Sequence, residues 1–288
     1  MILIDVQTRG RFGNKVFHYN TLVQFSNIVK QNFLCADWDA SSFFKGVRTE
    51  GSKIETPARE IPPLDLINLT ENELIERYSS GDFKLSSLSL CGPYFRLTKK
   101  DPREFLEFEH EPQLAPDGKV IVGIHIRGGD FRGGDGNEGR EIHSPEYYIN
   151  AIKFVVEEYY DKELLFCVCT DDPDPNFPSY HETLKFLHEN KLPTYIDTDN
   201  GYLKDFAILS FSDILIAGSS TFVLAAGMLG KKKKIIHSKD FVEQFKDEDQ
   251  KWYSKFGNGM FFHDLNHIKN DYYNLWKLMD SCTKSSSL

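Results

Sequence analysis

Two short segments concentrate the residue types that could do chemistry. In V-I-V-G-I-H-I-R-G-G-D-F-R-G-G-D, which begins at Val120, an apolar run opens into His125, Arg127, Asp130, Asp135 and two glycine pairs. In I-L-I-A-G-S-S-T-F a second apolar run passes into Gly218, Ser219, Ser220, Thr221 and Phe222. Arginine is a permanent cation whose planar fork of donors matches phosphate oxygens. A turn of small residues entering a helix offers unpaired backbone N–H groups, and here hydroxyls beside them, which suit an anion. Taken alone, G-S-S-T is an ordinary helix cap. Together with Arg127 it reads as a pyrophosphate clamp, the device needed to stabilise a nucleotide-sugar leaving group.

Carboxylates follow several of the same apolar runs. Asp130, Asp135 and Glu138 lie in the glycine-rich loop within reach of general-base work. Asp171 and Asp172 follow L-L-F-C-V-C-T, and Asp197 and Asp199 follow L-P-T-Y-I. D-D-P-D and D-T-D read as turn residues and caps before they read as metal ligands. If Arg127 and a helix N-terminus neutralise the phosphates, no metal cofactor is required. Near the start, G-R-F-G-N places Gly13 and Asn14 in a loop that lacks the G-x-G-x-x-G dinucleotide pattern. That loop is either a plain turn with Asn14 capping the next helix or a second contact for a donor.

The elements that must hold these residues alternate. Ile2 to Val6 reads as a strand, and the segment from Lys15 to Val29 carries apolar residues at helical spacing. Thr70 with Glu73 marks a capping box. Residues 85–95 read as a strand, and residues 101–118 as a short acidic helix followed by a Pro/Gly stretch. From Val120 onward strand and helix alternate regularly: Ser144 and Pro145 open one helix, a second capping box of Ser179 and Glu182 opens another, and Y-L-K-D-F-A-I-L-S-F-S with Asp205 forms a third. This is the pattern of a doubly wound parallel sheet, whose ligands sit at the carboxyl ends of the strands. The expected division is 1–112 and 113–288, with a last helix returning to the first domain.

Composition narrows the classes of function. The chain has 288 residues, a formal net charge of −9 and 40% hydrophobic residues, which suit one or two ordinary α/β domains and argue against a broad nucleic-acid-binding face. The basic run from Lys231 to Lys234 reads as a solvated turn. Five scattered cysteines favour reduced, buried thiols over a disulfide or metal framework. Cys167 and Cys169, two apart in an expected strand, are read as facing opposite ways. No signal-like leader and no membrane span is legible, so a cytoplasmic location is expected.

In order along the chain, several segments resemble motifs of the α1,2-fucosyltransferases. H-I-R-G-G-D is similar to that family's H-x-R-R-G-D, and R-F-G-N-K-V-F-H-Y to its G-L-G-N-Q-x-F-Q-Y. H-S-P-E-Y-Y-I-N-A-I resembles C-S-x-x-Y-Y-x-x-A-I, C-T-D-D resembles F-S-D-D, and I-A-G-S-S-T-F resembles I-A-N-S-T-F. The resemblance implies a GT-B fold, two Rossmann-like domains facing across a cleft. It implies GDP-fucose as donor substrate, no metal, and inversion at the sugar carbon during transfer to a glycan hydroxyl, α1,2 to galactose first among them.

By the same carry-over Arg127 holds the donor phosphates and His125 shapes the loop beside it. Gly13 and Asn14 touch the donor from the other domain. Ser219, Ser220, Thr221 and Phe222 line the phosphate and sugar side. Asp171 and Asp205 belong to the donor site, Asp205 toward base or ribose. Asp135 and Asp130 are the two carboxylates placed to act as base, and a route without a dedicated base is the third alternative. Two departures stand out: Gly128 replaces the family's second arginine, and V-L-A-A-G-M replaces an aromatic-rich stretch. A related transferase using another nucleotide sugar, or a non-catalytic nucleotide- or carbohydrate-binding module, are the competing readings.

Overall fold

The computed structural model describes residues 1–4, 12–36, 38, 43–45, 47, 58–62, 65–66, 69–85, 103, 105–109, 118–129, 142–196, 201–218, 220–230, 234–238 and 260–264. They fall into two compact units, one within Met1–His110 and one within Glu111–Ile268.

In the first unit, β1 (Ile2–Ile4), β2 (Phe33–Cys35), β4 (Arg59–Glu60) and β5 (Phe83–Leu85) form a parallel sheet in the order β2-β1-β5-β4. Helix α1 (Phe12–Val29) is buried on nearly every side and takes Asn14, His18, Asn20, Thr21, Gln24 and Ser26 inside with it. Some of these polar groups satisfy one another, as Gln24 Nε2 donates to Asn20 Oδ1 at 3.2 Å. Helix α2 (Glu71–Tyr78) starts at the expected capping box: the Glu73 N–H donates to Thr70 Oγ1 at 3.3 Å, and the Thr70 N–H to the Glu73 carboxylate at 2.7 Å. A separate antiparallel pair joins β3 (Phe44–Lys45) to β6 (Glu107–Phe108). The expected acidic helix in 101–118 is therefore not formed at Glu107–Phe108, where Phe108 is drawn into an aromatic cluster with Phe43 and Phe44. The strand expected at 85–95 begins earlier, at Phe83, and most of that stretch lies outside the described residues.

In the second unit, β7 (Val120–Ile126), α3 (Pro145–Glu158), β8 (Leu164–Thr170), α4 (Pro178–Glu189), β9 (Thr194–Ile196), α5 (Tyr202–Phe211), β10 (Ile214–Ile216), α6 (Thr221–Met228) and β11 (Lys234–Ser238) alternate as expected. A final strand, β12 (Met260–Asp264), runs antiparallel to β11. The sheet order is β12-β11-β10-β7-β8-β9. The first strand of the unit is thus flanked by β8 on one side and β10 on the other, so the order reverses between β7 and β10. Alternation along β7 divides the core. Val122, Ile124 and Ile126 face a cluster that includes Tyr148, Ile152 and Val155 of α3 and Leu187 of α4. On the opposite face, a Cβ at Gly123 would strike Ser212 and Leu209 beside α5.

Two local expectations are corrected. Helix α4 begins with Pro178 after an N-cap at Phe177, so Ser179 and Glu182 form no capping box. Ser179 is instead buried and donates its hydroxyl to the His143 carbonyl at 2.7 Å, because proline at the first helical position moves the N-cap back from Ser179 to Phe177. Cys167 and Cys169 share one face of β8, since residues two apart in a strand point the same way. Both are buried and neither forms a disulfide among the described residues, and burial pushes the Cys167 thiol up to about 12.

Candidate functional site at the carboxyl ends of β7, β8 and β10

Register dictates which side chains meet. β7 pairs with β8 so that Ile126 lies opposite Thr170, which brings Arg127 level with Asp171 one step beyond the sheet. β7 pairs with β10 so that Ile124 lies opposite Ile216, which brings the Gly218 turn alongside the end of β7. At the other end of the pair, the Ile121 N–H donates to Asp213 Oδ2 and the Asp213 N–H to the Ile121 carbonyl, both at 2.8 Å, which fixes this register.

Arg127 is 8% exposed. Its guanidinium Nη1 donates to Asp171 Oδ2 in an ion pair. Asp171 Oδ1 accepts the Gly128 N–H at 2.9 Å, and Asp172 Oδ2 accepts the Gly129 N–H at 3.2 Å. The turn after β8 therefore clasps the backbone after β7. The same turn is built on its own caps, with the Asp172 N–H donating to Thr170 Oγ1 at 3.1 Å and the Asn176 N–H to Asp174 Oδ1 at 2.8 Å. The clasp explains Gly128. A Cβ there would lie 2.6 Å from Asp172 Cβ and 2.7 Å from the Phe177 ring, so no side chain fits without moving the turn.

Beside the arginine, the β10 tip is neutral. Ser220 caps α6 by accepting the Phe222 N–H at 3.1 Å. The Phe222 ring packs on the His125 ring at 5.6 Å between centroids and on Phe206 of α5 at 5.3 Å. Gly218 packs so closely on β7 that an added Cβ would stand 2.9 Å from the His125 carbonyl oxygen and 3.1 Å from the Tyr148 hydroxyl. His125 is 3% exposed, and its Nδ1 has no hydrogen-bond partner among the described residues. Burial, reinforced by Arg127 and His143 against the pull of Asp171, lowers its pKa to about 4, so the imidazole is neutral at ordinary pH. Burial does the same to His143.

Residues that the sequence reasoning passed over floor this site. Tyr147 of α3 aims its hydroxyl at both the Ala217 and Ile236 carbonyls, at 2.8 and 3.0 Å, tying the end of β10 to the middle of β11. Its neighbour Tyr148 is hydrogen-bonded to the Arg127 backbone and lies against Gly218. The signal was the tyrosine pair one turn into α3, a position from which hydroxyls reach strand ends. No hydrophobic pattern distinguishes such tyrosines from core.

The structure thus brings together His125, Arg127, Asp171, Ser220, Thr221 and Phe222 from the expected set. Asp205 lies in the first turn of α5, on the His125 side of the sheet, and its carbonyl receives the Cys169 thiol at 4.0 Å. Gly13 and Asn14 belong to the first unit, where Asn14 is in the body of α1 rather than at its cap, because Phe12 is already helical. Asp130, Asp135, Glu138, Asp197, Asp199 and Ser219 lie outside the described residues. Among the described residues no three His, Cys, Asp or Glu side chains group as a metal site, and no helix is long and apolar enough to cross a membrane.

No family model and no curated protein matches the chain. Solved structures do match it. The α-1,6-fucosyltransferase NodZ soaked with GDP-fucose superposes with a TM-score of 0.51 at 14% identity, over 91% of this chain and 98% of that one. The fucosyltransferase NodZ from Bradyrhizobium matches with a TM-score of 0.48 at 14% identity, over 81% and 94% of the two chains. POFUT1 in complex with GDP-fucose gives 0.48 at 10% identity, over 79% and 92%. The first likeness establishes that this chain shares the α/β fold of that NodZ structure.

Proposed function

We propose that the chain is an inverting glycosyltransferase of GT-B architecture that transfers fucose from GDP-fucose to a glycan hydroxyl, α1,2 to galactose, without a metal ion. The observation that carries this reading is the pairing of a buried, permanent cation, Arg127, with the Ser220-capped start of α6 across the point where the strand order reverses. Ligands of open parallel sheets bind at such a point, and an anion finds there both a guanidinium fork and the positive end of a helix. The fold shared with NodZ supports the class, and the order of the motifs along the chain supports the donor. In this reading residues 113–288 bind the donor and residues 1–112 the acceptor, with Gly13 and Asn14 as further donor contacts.

The acceptor oxygen attacks the sugar carbon as the bond to the diphosphate oxygen breaks, and GDP leaves with the bonding electrons. Charge builds on the departing phosphate, where Arg127 and the Ser219–Thr221 turn oppose it. His125, held neutral, and Phe222 form the wall beside it, and Asp205 faces the base or ribose. The acceptor proton passes to Asp135 or Asp130, or is lost late without a dedicated base.

The test is GDP release from GDP-fucose in the presence of a galactoside panel and EDTA, with donor binding followed by calorimetry. Turnover that persists in EDTA is expected. No detectable GDP-fucose binding, or activity abolished by EDTA and restored by a divalent cation, overturns the reading.

A further inference from the structure

We infer that Asp171 is a positioning residue that acts on the donor through Arg127, and that the missing side chain at Gly128 is what allows it to do so. The inference rests on the reading of Arg127 as the diphosphate-holding group. Asp171 stands where register alone would put it, level with Arg127, and it uses both of its oxygens: one on the guanidinium and one on the Gly128 N–H at 2.9 Å. Only an ionised carboxylate offers two acceptors on so short a stem. An asparagine amide offers one acceptor and one donor, and either the guanidinium or the backbone N–H would then face a donor. The grip fixes one terminal nitrogen of Arg127 and so orients the rest of the fork before any ligand arrives.

The turn that carries Asp171 can approach this closely because residue 128 has no Cβ. Asp172 Cβ and the Phe177 ring occupy the space a side chain would need, and Asp172 also holds the next N–H, that of Gly129, at 3.2 Å. The related motif has arginine at this position. Here glycine leaves that second cation out and gives the turn of Asp171 and Asp172 its room.

A positioning role and a packing role make opposite predictions for two variants of the full chain. If two acceptors are needed, Asp171→Asn, which keeps the shape, weakens GDP binding by about 10-fold or more, while Asp171→Glu, which keeps the carboxylate, stays within about 3-fold of the parent. Turnover follows the same order, with the rise in donor KM exceeding the fall in kcat. If Asp171 only fills space, the order reverses, with Asn near the parent and Glu worse, and the inference is overturned. Equal GDP affinity in all three chains overturns it as well. Should Asp171→Asn fail to fold, as circular dichroism would show, Gly128→Ala displaces the same turn from the other side and must raise donor KM in the same way. An unchanged KM there counts against the inference. Failure of the underlying function has a separate signature: a parent chain that binds no GDP, or an Arg127→Ala chain that binds it as well as the parent.

Discussion

The tips of β7 and β10 are neighbours in one sheet and are built by opposite means. At β7 a buried guanidinium is braced by a carboxylate, and Gly128 beside it has no room for a methyl group. At β10 there is no charge in the described turn. A serine hydroxyl caps a helix whose own N–H groups supply the polarity. A buried charge must have its partners built in, because an unpaired ion inside a protein is costly. A helix start carries its partial charge with it and needs only a local cap. The β7 tip should therefore be fragile to loss of its charged pair, and the helix cap at the β10 tip forgiving.

The largest expected effect is at the charged tip. Arg127→Ala should lower turnover on the order of 100- to 1,000-fold, as loss of a group aimed at developing negative charge does elsewhere. The chain should remain folded by circular dichroism. A loss below about 10-fold would move the catalytic weight to the neutral tip.

Acid should reach the same tip next. His125 has a folded pKa near 4, lowered from 6.5, so the unfolded chain takes up a proton first as pH falls. Stability from this group is full above the unfolded value, is lost between about pH 6.5 and 4, and totals about 3 kcal/mol. Melting temperatures measured across that range should fall steeply, and His125→Gln should flatten the slope. His143 and His18, also lowered to about 4 by burial, contribute slopes of the same sign.

Steric changes rank third. Gly128→Arg, which restores the side chain of the related motif, should destabilise by about 1–3 kcal/mol through overpacking and should not tighten GDP binding. Gly218→Ala meets a backbone oxygen at 2.9 Å and should cost a similar amount. The smallest effect belongs to the helix cap of the neutral tip. Ser220→Ala removes a cap and should cost about 1 kcal/mol in chemical denaturation. An Ser220→Ala loss exceeding that of Gly128→Arg would undo the contrast between the tips.

The second unit was legible because its signals are local and repeated. Apolar runs of strand length, proline and serine at helix starts and a small-residue turn each carry their own meaning, and strand order then follows from the βα rule. Arg127 and Ser220 could be found from residue type and place. The Arg127–Asp171 grip could not, since it depends on the pairing of Ile126 with Thr170, which no single segment encodes. Gly128 looked like the loss of an arginine and proved to be a packing contact with a turn more than forty residues away. The first unit was harder for a different reason. The spacing of apolar residues from Lys15 to Val29 did show α1, but the polar residues buried along it gave no sign of its surroundings, and β3, β4 and β6 are two residues each, too short to show a period.

The short edge of the larger sheet has a consequence for how the chain keeps company. β9 has only three residues, Thr194–Ile196, and leaves Tyr195 and Ile196 part exposed. A long flat edge would invite another chain to add a strand and begin an aggregate. Here the pairing row is brief, and Lys204 lays its ammonium over the Tyr195 ring, 5.9 Å from the centroid, placing a hydrated charge where an incoming strand would have to dry the surface. Replacing Lys204 with an apolar residue should therefore show itself in turbidity at high concentration, well before it shows in donor binding.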